Sequence, residues 1–148
     1  MNTYYLTTSI PYVNAAPHIG FALELVQADT LARWRRQKGD NVRLQTGTDE
    51  NSLKNVAAAE AAGVPVADLV AQNAARFHAL HAALDIQADD FIRTSCDARH
   101  RPAVEAIWNR CLQQGDLYRR EYTGFYCNGC EQFYEPEELE NGCCPEHQ

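Results

Sequence analysis

One segment determines how this chain of 148 residues folds: Ile10-Pro11-Tyr12-Val13-Asn14-Ala15-Ala16-Pro17-His18-Ile19-Gly20-Phe21. It lies between an apolar run at residues 4–6 and a segment at residues 22–37 that contains neither proline nor glycine. This order predicts a strand, a turn and a helix. The first N–H groups of such a helix and the positive end of its dipole face the turn, as they do in the nucleotide-phosphate sites of α/β proteins.

Two residues in the turn suit a phosphate ligand. Gly20 leaves room for a base or a ribose because it has no Cβ, and His18 adds a hydrogen-bond donor that can follow charge developing on a phosphate. Alone, a His-x-Gly after a strand is more often an ordinary turn, so the segments that follow have to support the hypothesis.

A second strand is predicted at residues 42–46, and with the preceding helix it completes a β–α–β unit. Such a unit implies a parallel sheet with a right-handed crossover, and hence an α/β fold. Ligands of open α/β sheets lie beyond the carboxyl ends of the strands, so Asp49 and the His18 turn are expected to face one crevice. The residue pattern alone favours Asp49 as the N-cap of a helix predicted at 52–62 over a ligand for a substrate ammonium.

The predicted helices carry apolar residues at helical spacing. The first is apolar on two sides, which predicts burial between the sheet and another layer; these residues are Leu23, Leu25, Val26, Leu31 and Trp34. A later helix places Val70, Phe77, Leu80 and Leu84 on one face, and a short strand follows at Phe91-Ile92. The last helix shows the stripe Val104, Ile107, Trp108, Cys111 and Leu112, which predicts burial and makes Cys111 a core thiol.

The charge distribution limits the classes of partner. The formal net charge is −7, and residues 131–148 contribute six acidic residues and no lysine or arginine, which leaves the remainder nearly neutral. Domains that hold nucleic acid unaided are strongly basic, so no DNA partner is expected and any RNA contact should be local or shared. No apolar run reaches the roughly 20 residues of a membrane span, and the N-terminus lacks the features of a signal peptide. A cytoplasmic protein without a membrane partner is therefore predicted.

Four of the five cysteines and histidines near the C-terminal end have the spacing of metal ligands. Cys127-Asn128-Gly129-Cys130 is a C-x-x-C knuckle, and Cys144-Pro145-Glu146-His147 supplies a second pair at C-x-x-H spacing. Three thiolates and an imidazole match a closed, tetrahedral structural zinc site. Cys143 is an alternative to Cys144 as the third ligand, with C-x-x-x-H spacing to His147. In a cytoplasmic chain this pattern favours metal over disulfides.

Several segments in a fixed order are together specific to one family. They are Ser9-Ile10-Pro11-Tyr12-Val13-Asn14, Pro17-His18-Ile19-Gly20, Thr46-Gly47-Thr48-Asp49-Glu50, Asp90-Phe91-Ile92-Arg93-Thr94, Gly115-Asp116-Leu117-Tyr118, and the segment from Tyr126-Cys127 to His147. Over essentially its whole length, the chain resembles the N-terminal part of the methionyl-tRNA synthetases, a family of class I aminoacyl-tRNA synthetases. The His-Ile-Gly segment lies at the position of the HIGH motif of that family.

The resemblance implies a domain organisation and a reaction. Residues 1–116 would form the first half of a Rossmann-type (HUP-like) catalytic domain with a parallel sheet, and residues 117–148 would begin a connective insertion with a zinc knuckle. The implied reaction is activation of L-methionine by ATP, with Mg²⁺, followed by transfer of methionine to tRNA(Met). The implied metal is a structural Zn²⁺.

The resemblance also assigns roles by position. Pro17, His18, Gly20 and Phe21 would form the HIGH-like ATP site, in which His18 and Gly20 are catalytic and His18 stabilises the α-phosphate. The backbone of Ile10 and the side chain of Tyr12 would line the methionine pocket. Asp49 would hold the α-ammonium, which overrides the N-cap preference. Two departures stand out, because Phe21 replaces the second histidine of the HIGH motif and Asn51-Ser52 replaces a frequent His-Gly.

The sequence contains nothing like the KMSKS loop, the second Rossmann half or an anticodon-binding domain. We therefore expect the chain to be the N-terminal part of a longer synthetase and to be inactive alone. Two alternatives stay open at this point. One is a truncated, stand-alone paralogue that acts as a zinc-bearing binding module, and the other is a class I synthetase for valine, isoleucine, leucine or cysteine.

Overall fold

The computed structural model of the protein describes residues 2–147. The chain divides into two compact units, Met1–Ala103 and Val104–Gln148. The predicted domain boundary after residue 116 concerns the longer protein, and it remains a prediction. The main elements are β1 (Thr3–Thr7), α1 (Ile19–Gln37), β2 (Asn41–Thr48), α2 (Leu53–Ala62), α3 (Val66–Ala83), β3 (Asp90–Arg93), α4 (His100–Gln114), β4 (Phe125–Cys127) and β5 (Gln132–Tyr134).

The first unit is built on a parallel three-stranded sheet in the order β1-β2-β3. Leu6 lies opposite Leu44, and Thr48 lies opposite Arg93. The predicted α/β fold with a parallel sheet is confirmed. β2 extends two residues beyond the predicted strand, because Gly47 pairs with Ile92 although glycine is disfavoured inside strands.

Two clusters of buried side chains hold α1 against its neighbours. The first joins Ala32 of α1 to Val42 and Leu44 of the sheet. The second joins α1 to α3 and to the turn that precedes α1, and it consists of Val13, Phe21, Leu25, Val70, Ala74, Phe77 and Ile86. The turn after β1 is thus fastened to the core at Val13, whose side chain is fully buried.

Two predictions of burial are wrong for the described part of the chain. On α1, Leu23 and Trp34 are 57% and 48% exposed, so only one of the two apolar sides is covered. On α4 no residue is buried, Trp108 is 59% exposed, and Cys111 is half-buried where a core thiol was predicted. Helical periodicity reports which side chains favour burial, and it carries no information on whether the covering surface is present.

The ends of α2 correct one further prediction. The N-cap of α2 is Ser52, whose hydroxyl accepts a hydrogen bond from the N–H of Lys54 at 3.0 Å, so Asp49 does not cap this helix. The helix ends at Gly63 in the left-handed conformation, with φ of 66°, which only glycine adopts without cost. Removing Asp49 from the capping role leaves its carboxylate for another use.

The second unit contains a small antiparallel hairpin of β4 and β5, in which Tyr126 lies opposite Phe133. A 3₁₀ turn follows at Pro136–Glu138, and Glu135 and Glu138 close it with a reciprocal capping box. Among residues 2–147, none of the helices combines the length and the apolar character needed to cross a bilayer. The cytoplasmic location stays a prediction.

Candidate functional site

His18 forms the N-terminal cap of α1. Its Nδ1 accepts a hydrogen bond from the N–H of Gly20 at 3.1 Å, and its carbonyl oxygen accepts from the N–H of Phe21 at 3.1 Å. Because Nδ1 is an acceptor, the neutral imidazole carries its proton on Nε2 and can donate it to a ligand. A Cβ on residue 20 would come within 2.9 Å of the His18 ring. A larger residue at position 20 would therefore displace the His18 ring from the helix terminus.

The turn after β1 meets the end of β2 at Tyr12 and Asp49. These residues form a parallel bridge, and the N–H of Asp49 donates to the carbonyl oxygen of Pro11 at 2.9 Å. Asp49 Oδ1 accepts from the N–H of Asn51 at 3.1 Å. Lys54 Nζ lies 5.5 Å from the centre of the Tyr12 ring. The structure thus brings a phenol, a carboxylate and an ammonium together at the carboxyl end of the sheet.

A cavity of about 290 Å³ opens at the same end of the sheet. Ile10, one of the predicted pocket residues, is part of its wall, whereas Tyr12 and Asp49 are not. The other lining residues come from all three strand ends and from the start of α4: Thr7, Thr8, Gln45, Thr46, Ile92, Thr94 and His100.

Phe21 does not face the turn with the rest of the HIGH-like segment. Its side chain is 5% exposed, and its ring packs edge-on against Phe77 with the centroids 5.2 Å apart. The structure therefore places Phe21 in the hydrophobic core, in contrast to the implied contact with ATP. Pro17 is half-buried in the turn. Its ring fixes the backbone φ of the residue that precedes His18.

Two acidic residues near the site were not singled out from the sequence. Glu24 on α1 accepts hydrogen bonds from the N–H and the hydroxyl of Ser9, at 2.5 and 2.6 Å. These bonds hold Ser9, at the start of the turn after β1, against α1. Glu50 is buried beside Asp49 and pairs with Arg93 at 2.7 Å. Glu50 is the last residue of the quoted segment Thr46–Glu50 and Glu24 follows the segment that ends at Phe21, and these positions are the one signal that could have indicated them.

The second unit brings the four predicted metal ligands together. The Sγ atoms of Cys127, Cys130 and Cys144 and a ring nitrogen of His147 all lie within 4.8 Å of one another. The Nδ1 of His147 is 3.3–3.7 Å from the three sulfurs, and Cys144 Sγ is 3.3 and 3.8 Å from the other two. Tetrahedral zinc with Zn–S of about 2.3 Å and Zn–N of about 2.0 Å requires S···S of about 3.8 Å and S···N of about 3.5 Å. The donor set and its spacing fit a zinc ion.

Backbone groups of the knuckle face the sulfurs. The N–H of Cys130 donates to Cys127 Sγ at 3.4 Å, and together with hydrogen bonds from Cys144 and the Gly129 backbone it lowers the pKa of that thiol to about 7. The N–H of His147 donates to Cys144 Sγ at 3.2 Å. A Cβ on Gly129 would lie 2.6 Å from His147 Nε2, so the imidazole packs directly on the glycine. Cys143 is exposed, and the group found among the described residues includes Cys144 instead.

A parallel β–α–β unit with a histidine-capped helix N-terminus and an aspartate at the next strand end is the architecture that the resemblance predicted, that of the nucleotide-binding half of a class I aminoacyl-tRNA synthetase. The sequence profile described as "tRNA synthetases class I (M)" matches residues 4–148. The chain belongs to this family.

Relatives and solved structures agree with this assignment. Methionine–tRNA ligase of Mycobacterium leprae is 48% identical over 145 residues, which cover 96% of this chain and 27% of the ligase. The chloroplastic/mitochondrial methionine–tRNA ligase of Arabidopsis thaliana is 42% identical over 150 residues, which cover 99% of this chain and 24% of the ligase. The chain thus spans about a quarter of the length of these relatives.

Among solved structures, the chain is similar to Mycobacterium tuberculosis methionyl-tRNA synthetase in complex with methionyl-adenylate. The TM-score is 0.90 at 44% identity, over 96% of this chain and 28% of that one. The apo form of the same synthetase gives a TM-score of 0.69 at 39% identity, over 95% of this chain and 25% of that one. The Rossmann-type fold of the first unit is consistent with both.

Proposed function

We propose that this chain is the N-terminal catalytic portion of a methionine–tRNA ligase, which forms methionyl-adenylate from ATP and methionine and then transfers methionine to tRNA(Met). The observation that carries the proposal is the pairing of Tyr12 with Asp49. This pair lies at the end of the sheet where β1 leads into the turn that His18 closes as the cap of α1. The names of the relatives and the complex of the tuberculosis enzyme support the same activity.

The phosphates of ATP are proposed to bind at the N-terminus of α1. The orphan N–H groups and dipole of the first turn favour an anion there, and His18 Nε2 donates to the α-phosphate as the methionine carboxylate attacks phosphorus in line and pyrophosphate leaves. Mg²⁺ bound with ATP would neutralise charge on the phosphates. The protein contributes by positioning and by donors aimed at developing charge, and no covalent step on the enzyme is needed.

Methionine is proposed to bind between the turn and the end of β2. Asp49 Oδ1 accepts from the N–H of Asn51, which leaves the second carboxylate oxygen for the α-ammonium. Tyr12 and the backbone of Ile10 would line the pocket. Since the Phe21 ring is buried, the second phosphate donor usual in the HIGH motif is absent at this position, and His18 would act as the side-chain donor of the segment.

The metal proposal is a structural Zn²⁺ held by Cys127, Cys130, Cys144 and His147. All four donors come from the protein, so the site is closed to substrate. The ion would fasten a hairpin whose strands have three residues each, too short to be stable unaided.

The test uses the full-length protein translated from the complete gene and methionine-dependent ATP–pyrophosphate exchange. Asparagine is a good N-cap, so His18→Asn should preserve the start of α1 while removing the donor to the phosphate. We expect an unchanged Tm and a loss in kcat of about 10²–10³-fold. His78→Asn, on the exposed part of α3, serves as the matched control and should keep full activity.

The outcomes separate the alternatives. Exchange that depends on valine, isoleucine, leucine or cysteine instead of methionine would identify a different class I synthetase. A folded full-length protein with no exchange for any amino acid would contradict the ligase proposal and favour the zinc-bearing binding module.

A further inference from the structure

A buried carboxylate lies next to the proposed ammonium ligand. The side chain of Glu50 is 0% exposed, and three residues donate hydrogen bonds to its carboxylate. Arg93 donates from Nε at 2.7 Å and from Nη2 at 3.3 Å, Thr48 donates its hydroxyl at 2.9 Å, and Ser95 donates its hydroxyl as well. The donors come from the ends of two adjacent strands, β2 and β3, so the carboxylate fastens these ends together.

The backbone of the same segment is fixed to β3 by separate bonds. The N–H of Glu50 donates to Thr94 Oγ1 at 2.8 Å, and the N–H of Thr94 donates to the carbonyl oxygen of Thr48 at 3.3 Å. Asn51 Nδ2 also donates to Thr94 Oγ1, at 3.3 Å. The residues on both sides of Asp49 are therefore bonded to β3, while Asp49 itself is bonded through its N–H to Pro11 in the opposite direction.

Stability alone does not require an ion pair at this place. Desolvating a carboxylate is costly, and replacing a buried pair with apolar side chains of similar volume is often neutral or stabilising. Burial raises the pKa of Glu50, but hydrogen bonds from Arg93, Ser95 and Thr48 outweigh it, so the pKa lies below its ordinary value and the group is charged at neutral pH. A directional, charged network is better suited to holding a backbone in one geometry than to adding stability.

We propose that Glu50 is a positioning residue for the amino-acid site: through Arg93, Thr48 and Ser95 it holds Asp49 against Tyr12. This inference rests on the proposed function, because Asp49 is the proposed ligand of the methionine ammonium. It assigns Glu50 no contact with substrate. The role follows from the order Thr48-Asp49-Glu50, in which the half-buried Asp49 is paired with Tyr12 while the residues on either side of it are bonded to Arg93 and Thr94.

The first variant is Glu50→Gln in the full-length protein, measured by methionine-dependent ATP–pyrophosphate exchange. Glutamine keeps the shape of the side chain and loses its charge, so Arg93 no longer has an ionic partner. Misplacing a substrate ligand is costly even at the scale of 1 Å, and we expect the KM for methionine to rise about tenfold or more. The KM for ATP should stay within about twofold, because α1 and His18 are not bonded to this network.

A double-mutant cycle distinguishes positioning from a general structural role. If Glu50 acts through Asp49, Glu50→Gln should add nothing to the rise in the KM for methionine already caused by Asp49→Asn. Asp90→Asn is the matched control, since it breaks ion pairs with Arg43 and Arg99 at the other end of β3. It should leave both KM values unchanged.

Three results would overturn the inference. They are an unchanged KM for methionine in Glu50→Gln, additive effects in the cycle with Asp49→Asn, or an equal rise in Asp90→Asn. If Glu50→Gln does not fold, Ser95→Ala, which removes one donor to the carboxylate, should show the same selective rise in KM, and its absence is equally decisive. A folded wild-type protein without methionine-dependent exchange would instead overturn the proposed function, and the inference with it.

Discussion

Phe21 departs from the family motif, but the cap of α1 keeps its structure. The HIGH-like segment keeps His18 and Gly20 at the cap of α1, while position 21 lies one step further round the helix and faces α3. There an aromatic ring contributes apolar burial and an edge-on contact with Phe77. The substitution therefore exchanges a polar side chain for packing in the core.

Restoring the family residue is expected to harm this protein. Phe21→His would place an imidazole in a site lined by Val70, Ala74 and Phe77, where a polar group without a partner costs about 1–3 kcal/mol. We expect a lower free energy of unfolding in urea and no gain in methionine-dependent exchange. Phe21→Leu, which stays apolar, is the control and should retain the exchange rate. A tenfold rise in exchange for Phe21→His would show that position 21 reaches the phosphate.

At the level of elements, the sequence predicts the helices and strands better than it predicts what covers them. The apolar spacing of α1 and α3 indicates both helices, and the run without proline or glycine at residues 22–37 ends at the residue where α1 ends. The end of β2 is missed because Gly47 interrupts the apolar run. In the structure a Cβ at residue 47 would overlap the carbonyl group of Ile92, so glycine permits the close approach of β2 and β3.

The candidate site divides in the same way. His18, Gly20 and Asp49 could be placed at one crevice from their order along the chain, because the carboxyl ends of parallel strands meet at one edge of a sheet, whereas Tyr12 was indicated only by the family resemblance. The sequence places Glu50 next to Asp49 but does not show its role, because its donors Arg93 and Ser95 are more than forty residues away in sequence. Single-sequence patterns are local, whereas the partners of a buried charge are set by the register of two strands.

The contribution of Glu50 to the free energy of unfolding is expected to depend on pH. The pKa of Glu50 is lowered in the folded protein relative to its ordinary value of 4.5. Its contribution to stability is therefore fully present above that value and is lost as the pH falls through the folded pKa. Urea unfolding should give a constant difference in free energy between wild type and Glu50→Gln from pH 7 to about pH 5.5, and a shrinking difference below about pH 4.5. A difference that grew on acidification would contradict the charged state.

At the scale of the whole molecule, both units leave apolar surface uncovered. The exposed side chains include Leu23 and Trp34 on α1 and Ile107 and Trp108 on α4. Parallel sheets and their helices are normally covered on both sides, and the chain corresponds to about a quarter of its relatives. These two observations are the reason to test activity in the full-length protein.

The proposed metal site predicts that removing zinc affects the second unit and leaves the first unit unchanged. Full-length wild type and Cys143→Ser should each bind one zinc ion at the knuckle, whereas Cys144→Ser should lose it, because only Cys144 lies among the other ligands. On removal of the metal with a chelator, hydrogen exchange at residues 125–147 should accelerate strongly. Exchange in the β1-β2-β3 sheet should change little, since that unit has its own core.

The physical reason is the small size of the second unit. Its hairpin pairs three residues with three, and Tyr134 and Cys144 are its buried apolar side chains among the described residues. Such a segment gains too little from burial to offset the entropy of ordering its backbone, and the proposed metal–ligand bonds would supply the difference. Equal zinc content in Cys144→Ser and wild type, or unchanged exchange at residues 125–147 after chelation, would mean that the four side chains are not a structural zinc site.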